Sequence, residues 1–356
     1  MRENSLFVVF VHFPCHIFGH FVKKLRNLKK NEKNLQKVLH INEKYDIIFL
    51  YICIRAYILY IIPTKITVNR KGRWLALRTI IGIDVGGSTT KIIGFRECDG
   101  RLDWIEPMVI VANDPLTATY GAFGRFADEN HLSLSEIDRV MITGVGSSHL
   151  SGAMYGLDCR RVEEFRCISK GGSYLSGLDD ALIVSIGTGT AIVHAMQNDR
   201  YEYLGGTGVG GGTLVGLSEL LVGTDGVSEI ERLAAGGSLD KIDLRIKDLV
   251  KGDDLGELSR DLTASNFANI SPSAEKSDVA LGVMNLVFEV VGMVSIFAAR
   301  SRGVRDIVLT GNVTALSECK RKFEEFNTLG YGVNFIVPDK SGFATAIGAA
   351  LCGLLD

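Results

Sequence analysis

The fold is most legible in one stretch, Ile81-Gly82-Ile83-Asp84-Val85-Gly86-Gly87-Ser88-Thr89-Thr90-Lys91. A β-prone apolar run from Thr79 to Asp84 enters a glycine pair. A second run, Lys91-Ile92-Ile93-Gly94-Phe95, leaves it, so a hairpin with a glycine tip is predicted. Glycines at such a tip permit positive φ and leave backbone N–H groups uncovered, so phosphate oxygens can come close. Ser88, Thr89, Thr90 and Lys91 add hydroxyl and ammonium donors, and Asp84 at the strand end is placed to hold Mg²⁺ directly or through water. Standing alone, the same glycines would serve equally for a type I′ turn.

They do not stand alone. Roughly a hundred residues on, the design recurs as a strand at Ala181–Ile186, a turn Gly187-Thr188-Gly189-Thr190 and a strand at 191–196. Next comes Gly205-Gly206-Thr207-Gly208-Val209-Gly210-Gly211-Gly212-Thr213, which opens a helix predicted over 212–222. A glycine-rich entry to a helix N-terminus favours phosphate or ribose, and this makes Gly211, Gly212, Thr213, Leu214 and Val215 nucleotide candidates beside Thr188. Finally Leu309-Thr310-Gly311-Asn312 ends a strand where an adenine can lie against bare backbone. Strands are also expected at 104–111, Arg139–Thr143 and Asp306–Thr310, and helices at 116–128, Val227–Ala234, 277–300 and 343–355. Alternating strands and helices imply an α/β architecture with layered sheets. Neither the Walker A pattern nor the Rossmann glycine fingerprint is followed.

The chain has 356 residues, enough for two domains or slightly more. Its net charge of −2 gives no attraction to nucleic acid or anionic membrane. That average hides a split: residues 1–78 hold 15 Lys and Arg against 4 Asp and Glu, and the remainder 24 against 37. Gly19 and Gly72 are the only glycines before position 79, which predicts an extension, 1–78, outside the fold. Its apolar run at 47–62, interrupted by Arg55, is short for a membrane span, and the 277–300 segment, with Asn285 and Glu289, reads as a buried helix. Seven scattered cysteines indicate neither a disulfide framework nor a zinc site, and a reducing cytoplasm is the simplest location.

Two phosphate hairpins, a glycine-rich loop and a strand–Gly–Asn in this order resemble the sugar-kinase, heat-shock-protein-70 and actin superfamily. The resemblance covers 79–356 and implies two duplicated actin-like (ribonuclease-H-like) domains, at 79–180 and 181–356, with ATP in the cleft between them. Within the superfamily the chain is most similar to type II pantothenate kinases. The quoted pieces are the first hairpin, Val162-Glu163-Glu164-Phe165 before a glycine pair, Ser185-Ile186-Gly187-Thr188-Gly189-Thr190, the glycine-rich run, Asp261-Leu262-Thr263-Ala264-Ser265-Asn266-Phe267, and Leu309-Thr310-Gly311-Asn312.

The resemblance implies ATP-dependent phosphorylation of pantothenate, with Mg²⁺, in a cytoplasmic homodimer. It makes Glu164 the catalytic base, with Glu163 as the alternative, and puts Gly311 and Asn312 against adenosine. It also places position 203 at the substrate, and Ser185, Thr188 and Thr190 are further hydroxyls read as reaching it. The family carries an arginine matching position 203, and this chain carries Tyr203, a phenol without charge. Other readings are a sugar or amino-sugar kinase, or a non-kinase ATPase such as a dehydratase activator with an iron–sulfur cluster. The cluster would need converging thiolates, and Cys159 and Cys167 instead flank the proposed base.

Overall fold

In the computed structural model the chain divides after Thr64 into two units, and the described residues, 66–68, 74–111, 114–149, 152–250 and 259–355, all belong to the second, Lys65–Asp356. The apolar run at 47–62 lies outside the described residues. The first hairpin is formed by Arg78–Val85 (β1) and Thr89–Cys98 (β2), antiparallel, with Asp84 opposite Lys91. β1 therefore starts one residue before the expected boundary. The Arg78 guanidinium donates to the carbonyls of Gly353 at 3.2 Å and Leu354 at 3.3 Å near the chain end. Within the expected extension, Ile66–Val68 also pairs antiparallel with Trp74–Ala76.

Arg101–Val111 (β3) continues the meander, and Arg139–Thr143 (β4) and Leu157–Arg161 (β5) add parallel strands on the other side of β1. The order is β3-β2-β1-β4-β5, with Ala153–Met154 at the edge. Pro115–Glu129 (α1) crosses between β3 and β4 and buries Phe123 and Phe126 against Ile81, Ile83 and Val85. Asp114 caps it by accepting from Thr117 N–H at 2.9 Å, and Pro115 follows at the first helical position, where no N–H is needed.

The second sheet repeats this order. Ala181–Ile186 (β6), Thr190–Met196 (β7) and Arg200–Thr207 (β8) form the meander, and Asp306–Thr310 (β9) and Asn334–Ile336 (β10) pair in parallel beyond β6. Helices Gly211–Val222 (α3), Val227–Ala234 (α4) and Lys276–Arg302 (α5) separate β8 from β9, and Ser317–Thr328 (α6) leads to β10. α5 is long and apolar enough to cross a membrane, yet 67% of its most apolar stretch is buried, with Val283, Val287, Phe288 and Val291 in the core.

The duplication extends to single residues. Asp84 of β1 pairs with Thr143 of β4, and Ser185 of β6 pairs with Thr310 of β9. The next residues, Gly144 and Gly311, have φ of 89° and 95°. A Cβ on Gly144 would strike the Val85 carbonyl oxygen, and one on Gly311 the equivalent Ile186 oxygen. Glycine is required at both points by conformation and by space.

Two helices cross the expected division at 180/181. Glu164–Ser176 (α2) follows the first sheet but packs on the second, with Ile168 against Ile183, Val193 and Val308. The last helix, Ala344–Leu355 (α7), packs on the first sheet, against Ile80, Ile93, Phe95 and Met141. The halves thus exchange their final helices. Where α2 and α7 cross, a Cβ on Gly171 would overlap the Ala344 carbonyl and one on Gly348 the Cys167 carbonyl. Only glycines allow this approach.

Candidate active site

Both hairpin tips and the start of α2 come close together. Asp84 and Lys91 are each 6% exposed, and Lys91 Nζ lies 3.5 Å from Asp84 Oδ2. Burial pushes the Asp84 carboxyl above its ordinary range, and Lys91 pulls it back. A Cβ on Gly144 would sit 2.7 Å from Asp84 Oδ1, so this glycine, which the sequence reading did not assign to the site, makes room for the carboxylate.

The first tip carries Gly86, Gly87 and Ser88. Neither glycine has a positive φ. Gly86 closes the turn, its N–H donating to the Thr89 carbonyl at 3.0 Å and its Cβ position lying 3.1 Å from that oxygen, while Gly87 leaves the tip bare. From Gly87 a Cβ would lie 3.6 Å from Thr188 Oγ1, which brings the two hairpin tips face to face. Asn312, after β9, donates from Nδ2 to Thr89 Oγ1 at 3.0 Å, a hydrogen bond from the second half to the first.

Several candidates prove to be braces. Gly211 and Gly212 donate their N–H groups to the carbonyls of Gly187 and Thr188, both at 2.8 Å, and so spend these amides on the second tip. Gly205–Thr207, expected in a loop, lies in β8. Thr213 Oγ1 donates to the Gly208 carbonyl at 3.0 Å and accepts from Gly210 N–H at 3.3 Å. Leu214 is 1% exposed in the core with its N–H bonded to Gly210, and Val215 packs against that core. Thr190 is buried, and its hydroxyl donates to the Val209 carbonyl at 2.8 Å, so it holds the glycine loop rather than reaching into the cleft. Thr90 is likewise buried behind the first tip.

The two glutamates separate cleanly. Glu163 is the N-cap of α2, and its carboxylate accepts from Phe165 N–H at 3.1 Å and Arg166 N–H at 2.8 Å. Glu164, the next residue, finds no hydrogen-bond partner for its side chain among the described residues. Loss of water raises its affinity for a proton, Asp84 and Glu163 raise it further, and Lys91 opposes them. Asp84 and Lys91 therefore lie close enough to act on its charge. Tyr203, 47% exposed on β8, stacks flat on Phe165, with ring centroids 3.9 Å apart and planes at 9°.

Among the described residues no group of three or more His, Cys, Asp or Glu forms a metal cage. The buried Asp84 carboxylate is a hard oxygen donor that suits Mg²⁺, which keeps most of its waters and shares phosphate oxygens. All five cysteines among the described residues are free. Cys159 is half-buried beside Tyr120, Met154 and Arg161, and Cys167 is buried next to Cys352 of α7.

Solved structures share this architecture. The activator of 2-hydroxyisocaproyl-CoA dehydratase from Clostridium difficile, with bound ADPNP, superposes with a TM-score of 0.56 at 20% identity, covering 77% of this chain and 93% of that one. Component A of (R)-2-hydroxyglutaryl-CoA dehydratase from Acidaminococcus fermentans gives the same score and identity, over 77% and 97%. The fold is thus the two-domain actin-like α/β fold. The family described as Fumble matches residues 180–340. A type II pantothenate kinase of Bacillus thuringiensis subsp. konkukian is 30% identical over 252 residues, 66% of this chain and 83% of the relative. One from Oceanobacillus iheyensis is 33% identical over 229 residues, 62% and 84%. With identity at that level over most of the relatives' length, the chain belongs to the type II pantothenate kinase family.

Proposed function

We propose that the protein transfers the γ-phosphoryl group of ATP to the primary alcohol of pantothenate, giving ADP and 4′-phosphopantothenate, the first step of coenzyme A synthesis. The observation that carries this reading is the contrast at the head of α2. Glu163 is used up as a cap, while Glu164, with no hydrogen-bond partner for its side chain among the described residues, lies close enough to Asp84 and Lys91 to feel their charges. Phosphoryl transfer to an alcohol needs an in-line hydroxyl and a carboxylate in reach of its proton.

Glu164 takes that proton as the new O–P bond forms. Its raised proton affinity brings it nearer the pH at which it works. Lys91 and the two facing tips, at Gly87 and Thr188, serve the phosphates, and Gly311 with Asn312 borders adenosine. Asp84 would hold Mg²⁺, which when bound neutralises charge on the phosphates. Most of the rate then comes from positioning and charge neutralisation. Ser185, at the position in β6 equivalent to Asp84, is the substrate-side hydroxyl.

The same reading carries a cytoplasmic homodimer. Exposed Phe297 on α5 and exposed Leu220 and Leu221 on α3 supply apolar surface for it. An assay coupling ADP formation to a panel of pantothenate, glucose and N-acetylglucosamine tests the function. ADP release is expected with pantothenate, and release only with a sugar would replace it with a sugar kinase.

A further inference from the structure

The first turn of α2 is held from β8, the edge strand of the second sheet. Tyr201 and Tyr203, two apart on that strand, point to the same side. The Tyr201 hydroxyl interacts with the Glu163 carboxylate, and the Tyr203 ring lies flat on Phe165. In the turn leading into β8, Asp199 pairs with Arg166 at 3.0 Å and with Lys170 at 2.6 Å. Glu163, Phe165 and Arg166 are thus each tied to this strand or its turn, and Glu164 has no such tie among the described residues.

The strand is shaped for that contact. Its register against β7 shifts just after Tyr203: Val193 pairs with Tyr203 and Ile192 with Gly205, leaving Leu204 as an extra residue. Such a bulge re-aims a side chain and breaks the pleat. Here it separates the two tyrosines, which serve α2, from the glycines, which serve the second hairpin tip.

We propose that Tyr203 is a positioning residue for phosphoryl transfer, whose ring, stacked on Phe165, sets the first turn of α2 so that the Glu164 carboxylate meets the acceptor hydroxyl. The inference rests on Glu164 being the base. It gives the phenol at position 203 a task other than touching substrate, and makes the plane of the ring, not its hydroxyl, the working part. A misplacement of about 1 Å at a reacting group costs on the order of 10²-fold in rate, so a partial loosening shows in kcat.

Steady-state kinetics with pantothenate on Tyr203→Ala, Tyr203→Leu, Tyr203→Phe, Glu164→Gln and the double variant Glu164→Gln/Tyr203→Ala test this. Tyr203 is half-exposed on an edge strand, and Tyr203→Leu keeps apolar cover without a ring plane should the alanine variant not fold. Tyr203→Ala and Tyr203→Leu are expected to lower kcat about tenfold with KM within about threefold, Tyr203→Phe to restore kcat to within about threefold, and the alanine change to add nothing once Glu164 is gone. A rise in KM at parental kcat, equal damage in Tyr203→Phe, or additive losses in the double variant would overturn the proposal. Glu164→Gln retaining parental turnover would sink the base itself and the inference with it, whereas an inactive Glu164→Gln beside a fully active Tyr203→Ala sinks the inference only.

Discussion

Glu164 is held at a cost to the folded protein, because burial and the neighbouring Asp84 and Glu163 charges raise its proton affinity above that of an ordinary glutamate. As a base it must be ionised, so turnover rises with pH through this raised value, and the acidic limb of kcat is expected above about pH 4.3. The sign for stability is opposite. A carboxyl that binds its proton more tightly when folded contributes most below its unfolded value near pH 4.3, and that contribution declines as pH rises through the folded one. Glu164→Gln should therefore melt above the parent at neutral pH, lose that advantage below about pH 4, and drop kcat about 10²-fold or more; a variant less stable than the parent at neutral pH would contradict this. Asp84→Asn is expected to raise the Mg²⁺ concentration for half-maximal turnover at least about tenfold, equivalent to about 1.4 kcal/mol; an unchanged Mg²⁺ titration would move the metal elsewhere. The motifs mark both hairpin tips, and the structure brings Asp84 to Lys91, Gly87 to Thr188 and Asn312 to Thr89. Thr190, Thr213 and Leu214 were misread because residue type does not say which way a strand or helix turns a side chain, and the hydroxyls of both threonines were already engaged with the glycine loop.

Among elements, both hairpins and most helices were legible because glycine tips and apolar runs are local signals. The helix start at Glu164 was not recognised, although Glu163 is its cap and Gly177 its left-handed C-cap. Nor could the exchange of α2 and α7 be seen, since it depends on contacts between residues far apart in the chain. Its trace is the small residues of the crossing, Gly171 and Gly348. Gly171→Ala or Gly348→Ala should force the helices apart and cost about 1–3 kcal/mol, seen as a lower denaturant midpoint. Because α2 carries Glu164, kcat should fall with it. An unchanged midpoint would mean that the helices do not cross at these glycines.

For the whole molecule, the opening hairpin was half of the answer: the second sheet repeats its strand order, and Gly144 and Gly311 repeat its conformation. The chain after residue 78 carries 24 Lys and Arg against 37 Asp and Glu, so the body repels an anionic nucleotide at long range and relies on local donors at the cleft. Raising ionic strength from about 0.01 to 0.15 M shortens screening from about 30 to 8 Å, and KM for ATP is expected to fall or stay level; a steep rise would mean that surface cations steer ATP in. The central claim is tested most directly by identifying the product of the full chain with ATP, Mg²⁺ and pantothenate by mass spectrometry and phosphorus NMR. One phosphate on the primary alcohol of pantothenate for each ADP released, lost in Glu164→Gln, is the predicted result. ADP released without pantothenate being phosphorylated would contradict it.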